Sequence, residues 1–273
     1  MTGPMQPKPL KVSVLMPVFN ERNTVRHAIE RVRSVGMNTE IICVDDCSTD
    51  GTRSVLQSLL ESGQIDALVL HEVNRGKGAG VRSALAKATG DVVVIQDADL
   101  EYDPEDLLKL LGPIQDGRAD AVFGSRFKGD VSRVLYYWHS LGNWGLTTMS
   151  NMLTNLNVSD METCYKMVRT DLMKSLPLTS DRFGFEPELT ARLAQSRARI
   201  YEVPISYSGR TYAEGKKIRW TDGVAAFWHI VKFNLLSTKA PRYNNSVSES
   251  RKLTDRAPEK QPATEAERSL VRQ

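Results

Sequence analysis

Val92-Val93-Val94-Ile95-Gln96-Asp97-Ala98-Asp99-Leu100-Glu101 is the stretch on which the fold turns. Four β-branched residues in succession suit a strand buried on both faces, the condition of a parallel sheet covered by helices. The apolar run stops abruptly at acids, so the chain leaves the sheet carrying carboxylates. Residues two apart on extended chain point to the same side, which brings Asp97 and Asp99 together.

Similar short apolar runs stand on either side, at Val12–Met16, Glu40–Val44, Ala67–Leu70 and Ala121–Phe123. Helical spacings separate most of them: Val25, Ile29 and Val32; Leu56 and Leu60 beside Val55 and Leu59; Val81, Leu85 and Ala88. Asp103-Pro104-Glu105 supplies a capping residue, a proline for the first turn and an acid for the helix dipole. The alternation predicts an α/β fold with a Rossmann-like, mainly parallel sheet flanked by helices. Ile200–Ile205 reads as a late strand. Asp222–Leu236 and the uncharged Val134–Ser159 read as amphipathic helices towards the C-terminus.

At 273 residues the chain can bury one large core, and a formal charge of +3 gives no ground for a nucleic-acid partner. Cys43, Cys47 and Cys164 make no even disulfide framework, which fits a reducing, cytoplasmic setting. The four histidines show no ligand spacing. No stretch approaches the roughly 20 apolar residues that span a bilayer, so any membrane contact is expected to be peripheral. Residues 1–10 read as a flexible leader, 11–236 as one domain, and 237–273 as a polar, disordered tail.

Ligands of parallel sheets gather at the carboxyl ends of the strands. The loops there read Pro17-Val18-Phe19-Asn20-Glu21, Asp45-Asp46-Cys47-Ser48-Thr49-Asp50-Gly51 and Asp97-Ala98-Asp99. Asp97 and Asp99 are hard oxygen ligands suited to Mg²⁺ or Mn²⁺ held jointly with phosphates, with Glu101 as a third ligand. A lone Asp-x-Asp is more often an exposed acidic turn; a second acidic loop beside it reverses that preference. Asp46 can accept a ring N–H of uracil or guanine, and Asp50 can cap the next helix. Arg75-Gly76-Lys77-Gly78 offers amides and cations to a diphosphate, or is simply a flexible basic loop. The dinucleotide glycine fingerprint is missing, which argues against an oxidoreductase.

With these runs in place, the chain resembles the inverting family-2 glycosyltransferases of the GT-A fold, and among them the dolichyl-phosphate mannose synthase and bacterial polyprenyl-phosphate branch. The likeness covers about Val12 to Leu236. It rests on Met16-Pro17-Val18-Phe19-Asn20-Glu21, Val44-Asp45-Asp46-Cys47-Ser48-Thr49-Asp50-Gly51-Thr52, Asp97-Ala98-Asp99-Leu100 and Gly124-Ser125-Arg126-Phe127, then on Asp160-Met161-Glu162-Thr163-Cys164-Tyr165, Glu202-Val203-Pro204-Ile205-Ser206 and Arg210-Thr211-Tyr212-Ala213-Glu214-Gly215-Lys216. The family's common Gly after the loop Thr is Cys164 here.

The resemblance implies a nucleotide-sugar part at about 11–126 and an acceptor part at about 127–236. Pro17, Phe19, Glu21 and Asp46 would line the nucleoside pocket. Lys77, Asp97, Ala98 and Asp99 would meet the diphosphate and its cation, while Arg126, Arg210 and Lys216 would hold donor or acceptor phosphate. The implied reaction is inverting transfer of mannose or glucose from GDP-mannose or UDP-glucose to a polyprenyl or dolichyl phosphate at the cytoplasmic membrane face, sometimes with a membrane-anchor subunit as partner. If the acceptor is instead a saccharide or small-molecule hydroxyl, a base is needed, and Asp160 is the candidate. A non-catalytic nucleotide-sugar binder would not need the full set of acids.

Overall fold

The protein is described by a computed structural model covering residues 9–129, 133, 136–211 and 220–244. Lys216 therefore lies outside the described residues, as do residues 1–8 of the leader and the tail beyond Asn244. The strands are β1 (Val12–Val18), β2 (Thr39–Asp45), β3 (Ala67–Leu70), β4 (Val92–Ile95), β5 (Ala121–Ser125), β6 (Lys166–Arg169) and β7 (Ile200–Pro204). The helices are α1 (Val25–Ser34), α2 (Thr52–Glu61), α3 (Lys77–Leu85), α4 (Asp106–Gln115), α5 (Tyr137–Thr154), α6 (Thr170–Ser175), α7 (Phe185–Gln195) and α8 (Trp220–Val231), the last running into a π-helical turn at Lys232–Leu236.

All seven strands form one sheet in the order β3-β2-β1-β4-β6-β5-β7. Every pairing is parallel except those of β6, which runs against both β4 and β5. Central β1 shows why the sheet forms: Val12, Val14, Leu15 and Met16 are fully buried, as the unbroken apolar run requires. β6 escapes sequence reading because it is four residues long and opens on a lysine, yet Lys166 is 1% exposed.

Register explains where function can sit. Val18 pairs with Asp45, and Asp45 with Leu70, so β1, β2 and β3 end at one edge. Because β6 is reversed, the loop Asp160–Tyr165 enters it at that same edge, with Lys166 opposite Phe123. β7 ends there too, Pro204 facing Ser125, and delivers Ile205–Arg210. With the loops after β4 and β5, which run parallel to β1 and β7, seven loops converge on one rim, the geometry of ligand binding in parallel sheets.

Two features bear on the late helices and the chain beyond them. In α5, Thr147 and Ser150 are buried while Tyr137, Trp138, Trp144 and Met152 are exposed. In α8, Ala226 and Ile230 are buried, but the outward residues include Val224, Phe227 and Trp228, so the outer surface is apolar as well. Past Leu236 the chain returns to the sheet domain, where the Tyr243 N–H donates to the Ser196 carbonyl at 2.9 Å and its hydroxyl to Asp171 at 2.8 Å.

Candidate active site

The rim is built under local strain. Three of the non-glycine residues with positive φ sit in its loops: Asn20 (54°), Cys47 (62°) and Leu100 (64°). For a bulky residue such as Leu100 this region is unfavourable, and such conformations persist where surrounding structure over-determines them. At Leu100 the turn lets the Glu101 N–H donate to Asp99 Oδ1 at 3.1 Å.

Asp46 anchors the first loop. Its Oδ1 accepts the Arg75 N–H at 2.8 Å, Oδ2 accepts the Gly76 N–H at 2.7 Å, and His71 Nδ1 lies 2.7 Å from Oδ1. A carboxylate has about four lone-pair positions, so about one is left for a base, on a residue only 3% exposed. The expected base contact is thus confined to that position; the visible work of Asp46 is to fix the Arg75–Lys77 loop. Asp50 caps as expected, Oδ1 accepting the Thr52 N–H at 3.0 Å. Asp45 is fully buried against Arg53 at 2.8 Å. Phe19 is exposed at the mouth, Pro17 and Glu21 are half-buried, and Ala98 is buried behind them.

The loop that Asp46 fixes delivers Lys77. Its Nζ bridges Asp97, at 3.0 Å, and Glu186 at the start of α7, at 2.8 Å. Burial pulls the ammonium pKa down, but Asp97 and Glu186 raise it further, so Lys77 stays charged. Gly78 permits this approach, since a Cβ there would lie 2.2 Å from the Ser180 carbonyl oxygen.

A second cation closes the other side. The Arg210 guanidinium reaches Asp99 at 3.2 Å, Glu101 at 3.3 Å and Glu21 at 3.4 Å. It is delivered by a zipper between Tyr207–Arg210 and Glu101–Tyr102: the Ser208 N–H donates to the Glu101 carbonyl, and the Arg210 N–H to Glu101 Oε1, both at 2.9 Å. Glu101 Oε2 accepts the Tyr207 hydroxyl at 2.6 Å. Both Glu101 carboxylate oxygens are thereby engaged by Tyr207 and Arg210, so a place for Glu101 in a metal shell would require these bonds to be exchanged. Among the described residues no three His, Cys, Asp or Glu side chains converge as a metal site.

Asp97 and Asp99 nonetheless fit a divalent cation. Burial first, then Asp97 and Glu101, push the Asp99 carboxyl up to about 7. A cation shared with substrate phosphates relieves that repulsion, and one or two carboxylates plus phosphate oxygens is the usual setting for Mg²⁺.

On the β5 side, Arg126 and Asp160 form a bidentate pair, Nε to Oδ2 at 2.6 Å and Nη2 to Oδ1 at 2.8 Å, with the Arg126 N–H also donating to Oδ2 at 3.1 Å. Asp160 is fully buried, and although burial alone would raise its pKa, Arg126 holds it below the usual carboxylate range. A carboxylate so stabilised is a poor proton acceptor, which weighs against Asp160 as a base, and its bonds hold the Arg126 side chain in place. Asn143 on α5 also reaches Asp160 Oδ1, at 3.4 Å. Tyr102 and Tyr207, unmarked in the sequence, join the two halves. Tyr102 packs on Tyr165 at 4.6 Å and on Tyr207 at 5.3 Å between ring centroids, and the Arg126 guanidinium lies 5.1 Å above the Tyr207 ring.

The chain is similar to known proteins in sequence and in fold. The family model for glycosyl transferase family 2 matches residues 13–176. The low-salt glycan biosynthesis hexosyltransferase of Haloferax volcanii is 30% identical over 85% of this chain, which spans 54% of that relative's length. The undecaprenyl-phosphate mannosyltransferase of Micrococcus luteus is 28% identical over 83% of this chain and 99% of its own. Among solved structures, glucosyl-3-phosphoglycerate synthase from Mycobacterium tuberculosis, in complex with Mn²⁺, UDP and glucosyl-3-phosphoglycerate, superposes with a TM-score of 0.65 at 20% identity, covering 84% of this chain and 81% of that one. At that identity the likeness speaks to the fold alone, which is GT-A.

Proposed function

The chain belongs to glycosyl transferase family 2, and from that premise we propose that it transfers a hexose, with inversion, from a GDP- or UDP-hexose to a polyprenyl phosphate at the cytoplasmic face of a membrane. The observation that carries the acceptor class is the Arg126–Asp160 pair. On the acceptor side of the rim the Arg126 guanidinium is held by Asp160, a carboxylate too well stabilised to serve readily as a proton acceptor. A hydroxyl nucleophile needs a base, whereas a phosphate monoester, with a second pKa near ~6, arrives largely ionised. The polyprenyl-phosphate acceptor in the name of the Micrococcus relative supports the same class.

In this reading Asp97 and Asp99 hold Mg²⁺ or Mn²⁺ against the donor diphosphate, and the cation supplies Lewis-acid stabilisation of the leaving group. Lys77 and Arg210 sit beside these two acids and add positive charge where the diphosphate departs. Arg126, fixed by Asp160, orients the acceptor phosphate for in-line attack on the anomeric carbon. The loop between β1 and α1, with Phe19 at its mouth, lines the nucleoside pocket with Asp46 behind it. Among the described residues no helix is long and apolar enough to cross a membrane. The outward apolar faces of α5 and α8 are where a bilayer, or a membrane-anchor subunit, would be met.

The direct test is incubation with labelled GDP-mannose or UDP-glucose, Mn²⁺ or Mg²⁺, and a polyprenyl phosphate. The expected outcome is a labelled lipid. Nucleotide binding without transfer from any donor would overturn the acceptor assignment.

A further inference from the structure

Glu202 is an acid in the middle of β7, the edge strand of the sheet, where a charged side chain ordinarily turns to water. Its side chain is only 9% exposed. Register puts it there: Glu202 pairs with Phe123 of β5, and Phe123 shares its face with Ser125, the residue before Arg126. A carboxylate withdrawn this far from water is costly unless donors surround it, and four do. The Ser159 N–H at 2.8 Å and the Asp160 N–H at 3.3 Å meet Oε1, while the Ser159 hydroxyl at 3.0 Å and Lys128 Nζ at 2.6 Å meet Oε2.

Donor and acceptor roles fix the direction of the bonds beyond it. A carboxylate only accepts, so the Ser159 hydroxyl gives its hydrogen to Glu202 and must itself accept from Ser125 Oγ, 2.6 Å away. Ser125 Oγ in turn accepts the Phe127 N–H at 3.2 Å. A polarised chain therefore runs from the Phe127 backbone through two hydroxyls to Glu202, and it holds the residues on both sides of Arg126. The same carboxylate holds the backbone of Asp160, whose side chain makes the bidentate contact with the guanidinium. Asn151 of α5 steadies this loop from the other side, accepting the Val158 N–H at 3.2 Å and donating to the Val158 carbonyl at 2.7 Å. One carboxylate thus fixes the main chain at both members of the Arg126–Asp160 pair.

We infer that Glu202 is a positioning residue for the transfer reaction: through the Ser159–Ser125 chain and the Asp160 backbone it sets the Arg126 guanidinium where the acceptor phosphate is met. The inference rests on the proposed role of Arg126 towards a polyprenyl phosphate. The four bonds to Glu202 all come from the loops after β5 and before β6, so the donor loops after β1, β2 and β4 are left alone.

The test is steady-state transfer from labelled GDP-mannose or UDP-glucose to polyprenyl phosphate in Mn²⁺, with calorimetric donor binding on the same variants and Tm confirming that each is folded at the assay temperature. Glu202→Ala should lower kcat/KM for the acceptor by ~10-fold to ~100-fold, the scale on which a misplaced orienting group acts, with donor affinity within error. Glu202→Gln, which keeps an acceptor for the two N–H groups, should recover part of the loss. Lys128→Ala, which removes only the exposed partner, should stay near the native value. In an Arg126→Ala background, Glu202→Ala should cause no further loss, because a residue that acts through Arg126 has nothing left to act on. Losses that multiply fully in the double variant, an equal loss of donor affinity, or a Lys128→Ala loss as large as that of Glu202→Ala each overturn the inference while leaving the acceptor site standing. If Glu202→Ala does not fold, Ser159→Ala, which breaks the hydroxyl chain and keeps the charge, carries the same comparison. A native protein that transfers nothing to polyprenyl phosphate removes the acceptor reading, and the inference with it.

Discussion

At the scale of single residues, the site concentrates like charge and restrains it with two cations, and this sets opposite demands on stability and activity. Asp99 titrates at about 7 in the fold against an ordinary 3.8. Its protonated form favours the folded state, so that contribution is complete below about pH 4 and is lost as pH rises through about 7. Asp99→Asn should then stabilise the cation-free protein at pH 8 by about 1–2 kcal/mol, and by less at pH 5, as read by denaturant unfolding. The same change should cut activity by ~100-fold or more and abolish the rise in Tm that Mn²⁺ with nucleotide gives the native protein. At Asp160 the expectation differs. If it positions Arg126, Asp160→Asn keeps a hydrogen-bond acceptor but loses the charge, and activity should fall roughly 10-fold with the pH profile unmoved; a base would lose its acidic limb. The acids of these loops were legible because they interrupt apolar strands. The commitments of Asp46, Glu101 and Asp160 were not, because each is made to a residue at least 25 positions away along the chain.

At the scale of elements, the register of the central strands depends on a buried carboxylate that no motif marks. Glu40, at the start of β2, accepts from Ser13 Oγ at 2.5 Å, from the Thr89 N–H and hydroxyl at 2.6 Å each, and from the Gly90 N–H at 3.0 Å, and pairs with Lys11 at 2.5 Å. It thereby joins β1, β2 and the turn that leads into β4. Although burial would raise its pKa, the bonds from Lys11, Ser13 and Thr89 hold it at about 2, against 4.5 ordinarily. A depressed carboxylate contributes stability that is complete above about pH 4.5 and is lost as pH falls towards 2. Glu40→Gln should cost about 2 kcal/mol at pH 7 in denaturant unfolding and flatten the acid limb between those values. An acid limb identical to that of the native protein would show that Glu40 is not its source. The parallel strands themselves were readable from unbroken β-branched runs. β6 was not, since its place depends on an antiparallel return between β4 and β5 that only tertiary pairing supplies.

At the scale of the whole molecule, the apolar residues that the sheet does not need are gathered on α5 and α8, which pack against each other. Sequence periodicity could locate these helices but not say which face turns inward, because α5 buries Thr147 and Ser150 and leaves Trp138 75% and Met152 79% exposed. α5 carries no charged residue, so its outer face pays no desolvation penalty for ionised groups on entering a lipid interface. Aromatic side chains there gain most, since each buries a large apolar area while tolerating the wet boundary. Through Asn143, α5 also touches the Asp160 that holds Arg126, so the proposed phosphate site lies next to the face that would meet the membrane. A lipid phosphate could then be reached without leaving the interface. Trp138 and Trp228, 75% and 55% exposed and distant in role from the donor loops, make the clean test. Trp138→Ser with Trp228→Ser should weaken co-sedimentation with anionic phospholipid vesicles at least ~10-fold, the scale of withdrawing two aromatic side chains from an apolar phase. Calorimetric affinity for the nucleotide-sugar should not change. If vesicle binding survives the double substitution and is lost in 0.5 M salt, on the order of three times physiological ionic strength, attachment is electrostatic and the apolar face has another partner.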